Sequence, residues 1–288
     1  MHPPSILRIA GIICIIIASW MLAPLAFSVG RGETISQQAF IVSFAVSLFV
    51  GVTTLLATNR VKISLGKRDF AILIPLIVAI ATILSALPLY LGGAFQTVFH
   101  ASFEALSGLT TTGMSLLPKP ELLSQSELLW RAMLQWIGGY GTLILVIWAL
   151  PYLGFGGAFK ASSDGPEKQN LFPQLSFKKT LIKLLAVYFV ISLLCTLALF
   201  VSGLPLFESV CYTMSTVSTG GFLVQSEGPL GSNKWPVEII LMLFMILGAM
   251  NFMLHGKALS GSLRNYMKDQ ESQNFLILIL LSACIAVV

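Results

Sequence analysis

Thr97-Val-Phe-His-Ala-Ser-Phe-Glu-Ala-Leu-Ser-Gly-Leu-Thr-Thr-Thr-Gly113 decides how the rest of the chain is read. Its apolar part, Thr97–Gly108, is about 18 Å long as a helix, too short to cross a bilayer core of about 30 Å. It is also too apolar for an external loop, and it runs straight into Thr110, Thr111, Thr112 and Gly113. The economical reading is a re-entrant helix that dips into a membrane and returns as extended chain. Irregular backbone at that depth is tolerated only where protein buries it or it lines a watery cavity.

Composition agrees with a membrane setting. Of 288 residues, 56% are hydrophobic and only 10% are charged, with a mean hydropathy of +0.87. A soluble domain carries roughly 25% charged residues. Five segments are long and apolar enough to span: 6–29, 38–58, 70–91, 127–151 and 179–202. A sixth covers 236–256, and a seventh starts at Phe275 and ends with the sequence. The run at 6–29 is too long for the apolar region of a signal peptide and lacks a cleavage motif, so it reads as a retained helix.

With a cytoplasmic N-terminus, thirteen Lys and Arg fall on inside segments. Four, Arg31, Lys119, Arg131 and Lys234, fall outside. That asymmetry sets the orientation, and it accounts for the net charge of +5 without nucleic acid as a partner. Cys14, Cys195, Cys211 and Cys284 form no CxxC pair and read as small hydrophobes, so neither a disulfide nor a metal site is expected.

The opening pattern recurs. Leu87-Pro-Leu-Tyr90 precedes the first short helix and Leu204-Pro-Leu-Phe207 the second, which runs into Val217, Ser218, Thr219, Gly220 and Gly221. Each copy is followed by a spanning helix with central glycine, Gly138-Gly139 in one and Gly248 in the other. The predicted fold is therefore all-α and membrane-integral. Two N-terminal helices (1–60) precede a first pore repeat (61–157), a cytoplasmic connection (158–178), a second repeat (179–260) and the start of a third (261–288).

Thr/Ser/Gly strands suit a dehydrated cation. Backbone carbonyls replace its water shell without fixed negative charge. Glycine permits the backbone angles that aim successive carbonyls at one axis, and the C-terminal end of the short helix points partial negative charge the same way. The expected selectivity filter comprises Thr110, Thr111, Thr112 and Gly113 with Val217, Ser218, Thr219, Gly220 and Gly221, with K⁺ as the transported ion and no covalent cofactor.

Phe103-Glu-Ala-Leu-Ser-Gly-Leu-Thr-Thr-Thr-Gly113, Trp130-Arg-Ala-Met-Leu-Gln-Trp-Ile-Gly-Gly-Tyr-Gly141, Leu150-Pro-Tyr-Leu-Gly-Phe-Gly-Gly157 and Ser215-Thr-Val-Ser-Thr-Gly-Gly-Phe222 together resemble the Trk/Ktr/HKT superfamily of potassium transporters. The nearer pattern is the bacterial TrkH type, with two extra helices before the first repeat. The resemblance implies four repeats around one pore, one key glycine per strand (here Gly113 and Gly220), a homodimer, a cytoplasmic nucleotide-binding regulatory subunit and an inner-membrane location. Only two repeats are complete, so the expectation is a fragment or the product of a truncated gene; two copies rebuilding four repeats is the alternative.

Other residues admit more than one role. Glu104 and Glu208, in the two short helices, either draw cations to the vestibule or are carboxylates that bond backbone or stabilise an early helical turn. Arg131 is expected to snorkel to the interface, as His100 and His255 are expected to sit there. Asn251, inside the sixth span, is expected to hydrogen-bond between helices, and Gly138, Gly139, Gly141 and Gly248 to allow close helix contact. Gly154–Gly157 reads as a turn before a docking surface. Besides K⁺ uptake, a Na⁺-linked or Na⁺-selective relative and a non-conducting membrane subunit remain open. No nucleophile–base pair supports an enzyme.

Overall fold

The computed structural model describes residues 3–61, 63, 66–153, 174–228, 235–259, 266 and 269–287. All regular structure among them is helical. In chain order the helices are α1 (Pro3–Arg31), α2 (Thr34–Ala57), α3 (Lys67–Leu91), α4 (Val98–Leu109), α5 (Gln125–Leu153), α6 (Gln174–Val201), α7 (Leu206–Val217), α8 (Trp235–Ala249), α9 (Phe252–Leu259) and α10 (Gln270–Val287), with a single 3-10 turn at Pro120–Leu122. The basic connection around Lys168 and the glycine run 154–157 lie outside the described residues.

Among the described residues, four helices are long and apolar enough to cross a membrane: α1, α2, α3 from Ala71 and α6 from Lys179. Phe49, Ile83, Phe189 and Leu278 are exposed on α2, α3, α6 and α10. Water would penalise so much open apolar surface, whereas lipid accommodates it. The chain is a multi-pass membrane protein.

Polar contacts fix how the helices meet. Arg8 on α1 donates from Nη1 to the carbonyls of Thr58, Asn59 and Val61 at 3.0, 2.9 and 2.6 Å. It thereby satisfies the C-terminal end of α2 and complements its dipole. At the start of α5, Ser124 and Glu127 form a reciprocal cap. Glu33, in the α1–α2 turn, accepts from the amides of Gln125 and Ser126 at 2.9 and 3.2 Å. Four otherwise orphaned amides at the head of a helix are the reason for such partners.

Helix α5 stands between two cores. Trp130, Met133 and Leu134 pack with Met21, Phe40, Leu84 and Leu89, and Leu128, Ala132 and Trp136 with Tyr188, Leu199, Cys211 and Val217. Both tryptophans also carry a directed bond, from Trp130 Nε1 to the Ser85 carbonyl at 3.0 Å and from Trp136 Nε1 to Ser192 Oγ at 2.9 Å. Cys14, Cys195 and Cys211 are buried.

The sixth span, read from sequence as one helix over 236–256, is broken. Helix α8 ends at Ala249 and α9 begins at Phe252. The Met250 amide divides between the carbonyls of Ile246 and Leu247, both at 3.2 Å. His255 Nε2 donates to that Leu247 carbonyl at 2.9 Å, so its proton sits on Nε2, and Nδ1 faces the Tyr266 hydroxyl. Asn251 sits at this exposed break, where its carbonyl accepts from Leu254 N at 3.0 Å and its Nδ2 donates to Glu271 Oε2 of α10 at 3.5 Å, a bond between helices as expected. His255 is buried rather than interfacial.

Candidate cation-binding site

The two short helices are both twelve residues long, and the chain after each follows the same path. Thr111 N bonds the Gly108 carbonyl and Thr112 N the Ser107 carbonyl, each at 2.9 Å; Thr219 N bonds Thr216 at 2.9 Å and Gly220 N bonds Ser215 at 2.8 Å. This is the paired bond pattern that closes a helix on a left-handed residue. That residue is normally glycine, yet here it is threonine both times, with φ of 52° at Thr111 and 57° at Thr219. A β-branched side chain at positive φ is strained, and such strain clusters at functional sites.

Two residues further on, Gly113 and Gly221 have φ of 76° and 84°. The residues between keep negative φ, so both segments alternate in hand over four positions. Alternation of this kind turns successive peptide planes so that their carbonyls emerge on one side. The counterpart of Gly113 is thus Gly221, each strand residue mapping onto its partner by a shift of 108 positions, as from Leu109 to Val217. The sequence pairing of Gly113 with Gly220 is displaced by one. The Leu-Pro-Leu likeness also falls out of register, because Pro88 lies inside α3 while Pro205 precedes α7 where Thr97 precedes α4.

The strands meet. A Cβ built on Gly113 would lie 1.7 Å from the Gly220 carbonyl oxygen, a distance only a missing side chain allows. Gly113, Gly221, Arg131, Ser115 and Phe222 line one cavity of about 160 Å³. Behind the strands, Gly138 on α5 and Gly248 on α8 play matching parts. Built Cβ atoms there would lie 2.2 Å from the Leu109 carbonyl and 2.5 Å from the Val217 carbonyl, so α5 and α8 each press on the last residue of a short helix. Gly139 is also tight, against Tyr188 and Ser218, whereas Gly141 has nothing within 4 Å.

Arg131 does not snorkel. Its Nε and Nη2 donate to Glu104 Oε1 at 2.9 and 2.7 Å, with side-chain exposures of 2% and 0%. Glu104 also accepts from Ser115 Oγ at 2.8 Å and Leu116 N at 3.2 Å. Arg131 Nη1 reaches the Leu223 carbonyl at 3.2 Å, and the guanidinium lies 4.4 Å from the Phe222 ring centroid. The Glu104 carboxylate is therefore buried, and of its two expected roles it fills the backbone-bonding one, at Leu116 N. Glu208 does not match it, since the register pairs Glu104 with Tyr212 and Glu208 with exposed His100. Gln135, one turn beyond Arg131, was not singled out in the sequence. Its Oε1 accepts from Phe222 N at 3.2 Å. The available signal was the presence of polar Arg131 and Gln135 in an apolar helix, since buried charge demands a partner.

Comparison with known proteins places this architecture. The family model TrkH, described as a cation transport protein, matches residues 35–284. The crystal structure of the potassium transporter TrkH from Vibrio parahaemolyticus superposes with a TM-score of 0.87 at 27% identity, covering 98% of this chain and 57% of that one. The Trk system potassium uptake proteins TrkH of Salmonella typhimurium and TrkI of Halomonas elongata are each 31% identical over 96% of this chain, which covers 58% and 56% of their lengths. The chain thus spans less than three fifths of the length of these relatives. With a family match across most of its length and the same helical architecture, the chain belongs to the TrkH family of cation transport proteins.

Proposed function

We propose that this chain forms part of a potassium-translocating pore, with residues 110–113 and 218–221 as two strands of its selectivity filter and K⁺ as the ion carried. The observation that carries the reading is the doubled strand. Two segments alternate the sign of φ over four residues, each with a left-handed threonine at its second position, and they meet backbone to backbone at Gly113. Stacked carbonyls are what a dehydrated monovalent cation requires, and relatives named for potassium uptake share the fold. Val217 belongs to the support, its carbonyl lying under Gly248.

In this reading α3–α4–α5 and α6–α7–α8 are two pore repeats in the same orientation, in a bacterial inner membrane with the N-terminus cytoplasmic. The protein acts without a covalent cofactor and is not an enzyme. A homodimer and a cytoplasmic nucleotide-binding regulatory subunit are its expected partners. The test is ion flux in reconstituted vesicles with Gly113→Ser and Gly221→Ser. A lowered K⁺/Na⁺ flux ratio supports the filter assignment, and an unchanged ratio sinks it. Native preference for Na⁺ supports a Na⁺-selective relative, and absence of native flux supports a non-conducting subunit.

A further inference from the structure

Past Gly221, the chain leaving the second strand is tied at three successive places to residues of the α3–α5 half. Phe222 N donates to Gln135 at 3.2 Å. The Leu223 carbonyl accepts from Arg131 at 3.2 Å. Ser226 donates through its amide and hydroxyl to Glu121 at 2.9 and 2.8 Å. The corresponding stretch after the first strand is held differently. Ser115 and Leu116 bond Glu104 of the adjoining helix α4. Thus the first strand is braced mainly from within its own repeat, whereas the second takes bonds both from its own helix α7, through Ser215 Oγ to the Phe222 carbonyl at 3.0 Å, and from the neighbouring repeat.

We infer that Arg131 and Gln135 are positioning residues that set ion selectivity by fixing the second strand against the first. This rests on the filter reading above. The geometry supports a role beyond general packing. The Phe222 amide requires Gln135 to present its oxygen, which fixes the amide's orientation and brings it against Gly220, where a built Cβ would lie 2.4 Å from Cδ. Arg131 lines the cavity shared by Gly113 and Gly221. A cation path tolerates a guanidinium there because Glu104 neutralises it at 2.7 Å. A selective carbonyl site depends on holding oxygens at fixed spacing, and two side chains one helical turn apart hold consecutive residues of the exiting strand. Arg131 also touches the first repeat's Ser115, from Nη2 at 3.2 Å, so one side chain gauges both strands.

The experiment compares wild type, Arg131→Lys and Gln135→Met for K⁺/Na⁺ flux ratio in vesicles, alongside the shift in thermal stability produced by KCl relative to NaCl. Lysine keeps the charge but loses the forked donors; methionine keeps roughly the volume of glutamine but lacks the amide oxygen that accepts from Phe222, its thioether being only a weak acceptor. The expected result is a severalfold fall in the K⁺/Na⁺ ratio in both variants and a smaller K⁺-specific thermal shift. Gln135→Met leaves the ion pair intact, so it decides the matter if Arg131→Lys does not fold. Variants that fold with the wild-type ratio overturn the inference while leaving the filter reading in place. A wild-type protein that prefers K⁺ in neither measurement overturns both.

Discussion

Replacing Glu104 by glutamine keeps its shape and removes its charge. Its carboxylate takes four hydrogen bonds, from Arg131 Nε and Nη2, Ser115 Oγ and Leu116 N, between 2.7 and 3.2 Å. The glutamine amide offers one oxygen, so at most part of this set survives, and an amino group is turned toward other donors. Arg131 stays charged, at 2% exposure, without its counter-ion. Removing one partner of a buried pair costs about 3–5 kcal/mol. Arg131→Met alone should lie in the same range, for it leaves the carboxylate buried and unpaired. The double variant should recover much of the loss, since two matched apolar or neutral groups leave no orphaned charge. The assay is a double-mutant cycle on unfolding in mixed detergent micelles, followed by tryptophan fluorescence, because Trp130 and Trp136 lie on the same helix. A coupling below about 0.5 kcal/mol, the level of distant independent sites, would refute the claim that this pair ties the strands to α5.

Further outcomes follow from single distances. Gly138→Ala and Gly248→Ala should each destabilise by about 1–3 kcal/mol, because the new methyl meets backbone carbonyls at 2.2 and 2.5 Å; Gly141→Ala, with open space around it, should be neutral or stabilise by up to about 1 kcal/mol in the same unfolding assay. Thr111→Gly should raise stability by up to about 1 kcal/mol by relieving a left-handed threonine, and should lower the K⁺/Na⁺ flux ratio if the strain serves the filter. Hydrogen bonds from its own backbone amide and from Ser226 hold the Glu121 carboxyl below its ordinary range. A carboxyl lowered on folding contributes stability above the unfolded value and loses it as pH falls through the folded one. The advantage of wild type over Glu121→Gln in a melting series should therefore be flat above about pH 5 and vanish progressively below about pH 4.

The spans and short helices were legible because a hydrophobic run and its length read directly against bilayer thickness. The limits of α1, α2, α3 and α6 follow that rule. What failed was relational. The break at Met250–Asn251 lies in an apolar run, and only the His255–Leu247 bond reveals where a freed carbonyl is answered. The one-residue shift from Gly220 to Gly221 was hidden because Gly220 and Gly221 are adjacent, and only the backbone angle distinguishes them. Glu104 and Arg131 were each weighed alone, because 27 residues and a change of direction separate them. Charge in an apolar segment announces that a partner exists without naming it.

The distribution of polar contacts bears on how such a chain holds two irregular segments in place. Between helices in lipid there is little hydrophobic driving force, so packing and directed bonds carry specificity. Here both converge on the same few residues. Gly138 and Gly248 bring α5 and α8 against the ends of the short helices, and Trp136, through Ser192 and the Tyr188 hydroxyl that bonds its carbonyl at 3.2 Å, locks α5 to α6. Arg131 and Gln135 then carry that rigidity to the exiting strand. Two left-handed threonines persist only if their surroundings over-determine them. The close glycine contacts supply that constraint at the ends of the short helices and the polar brace supplies it on the chain that follows the strands. Loosening either should let Thr111 or Thr219 relax, and the carbonyl alignment that depends on their angles would relax with them.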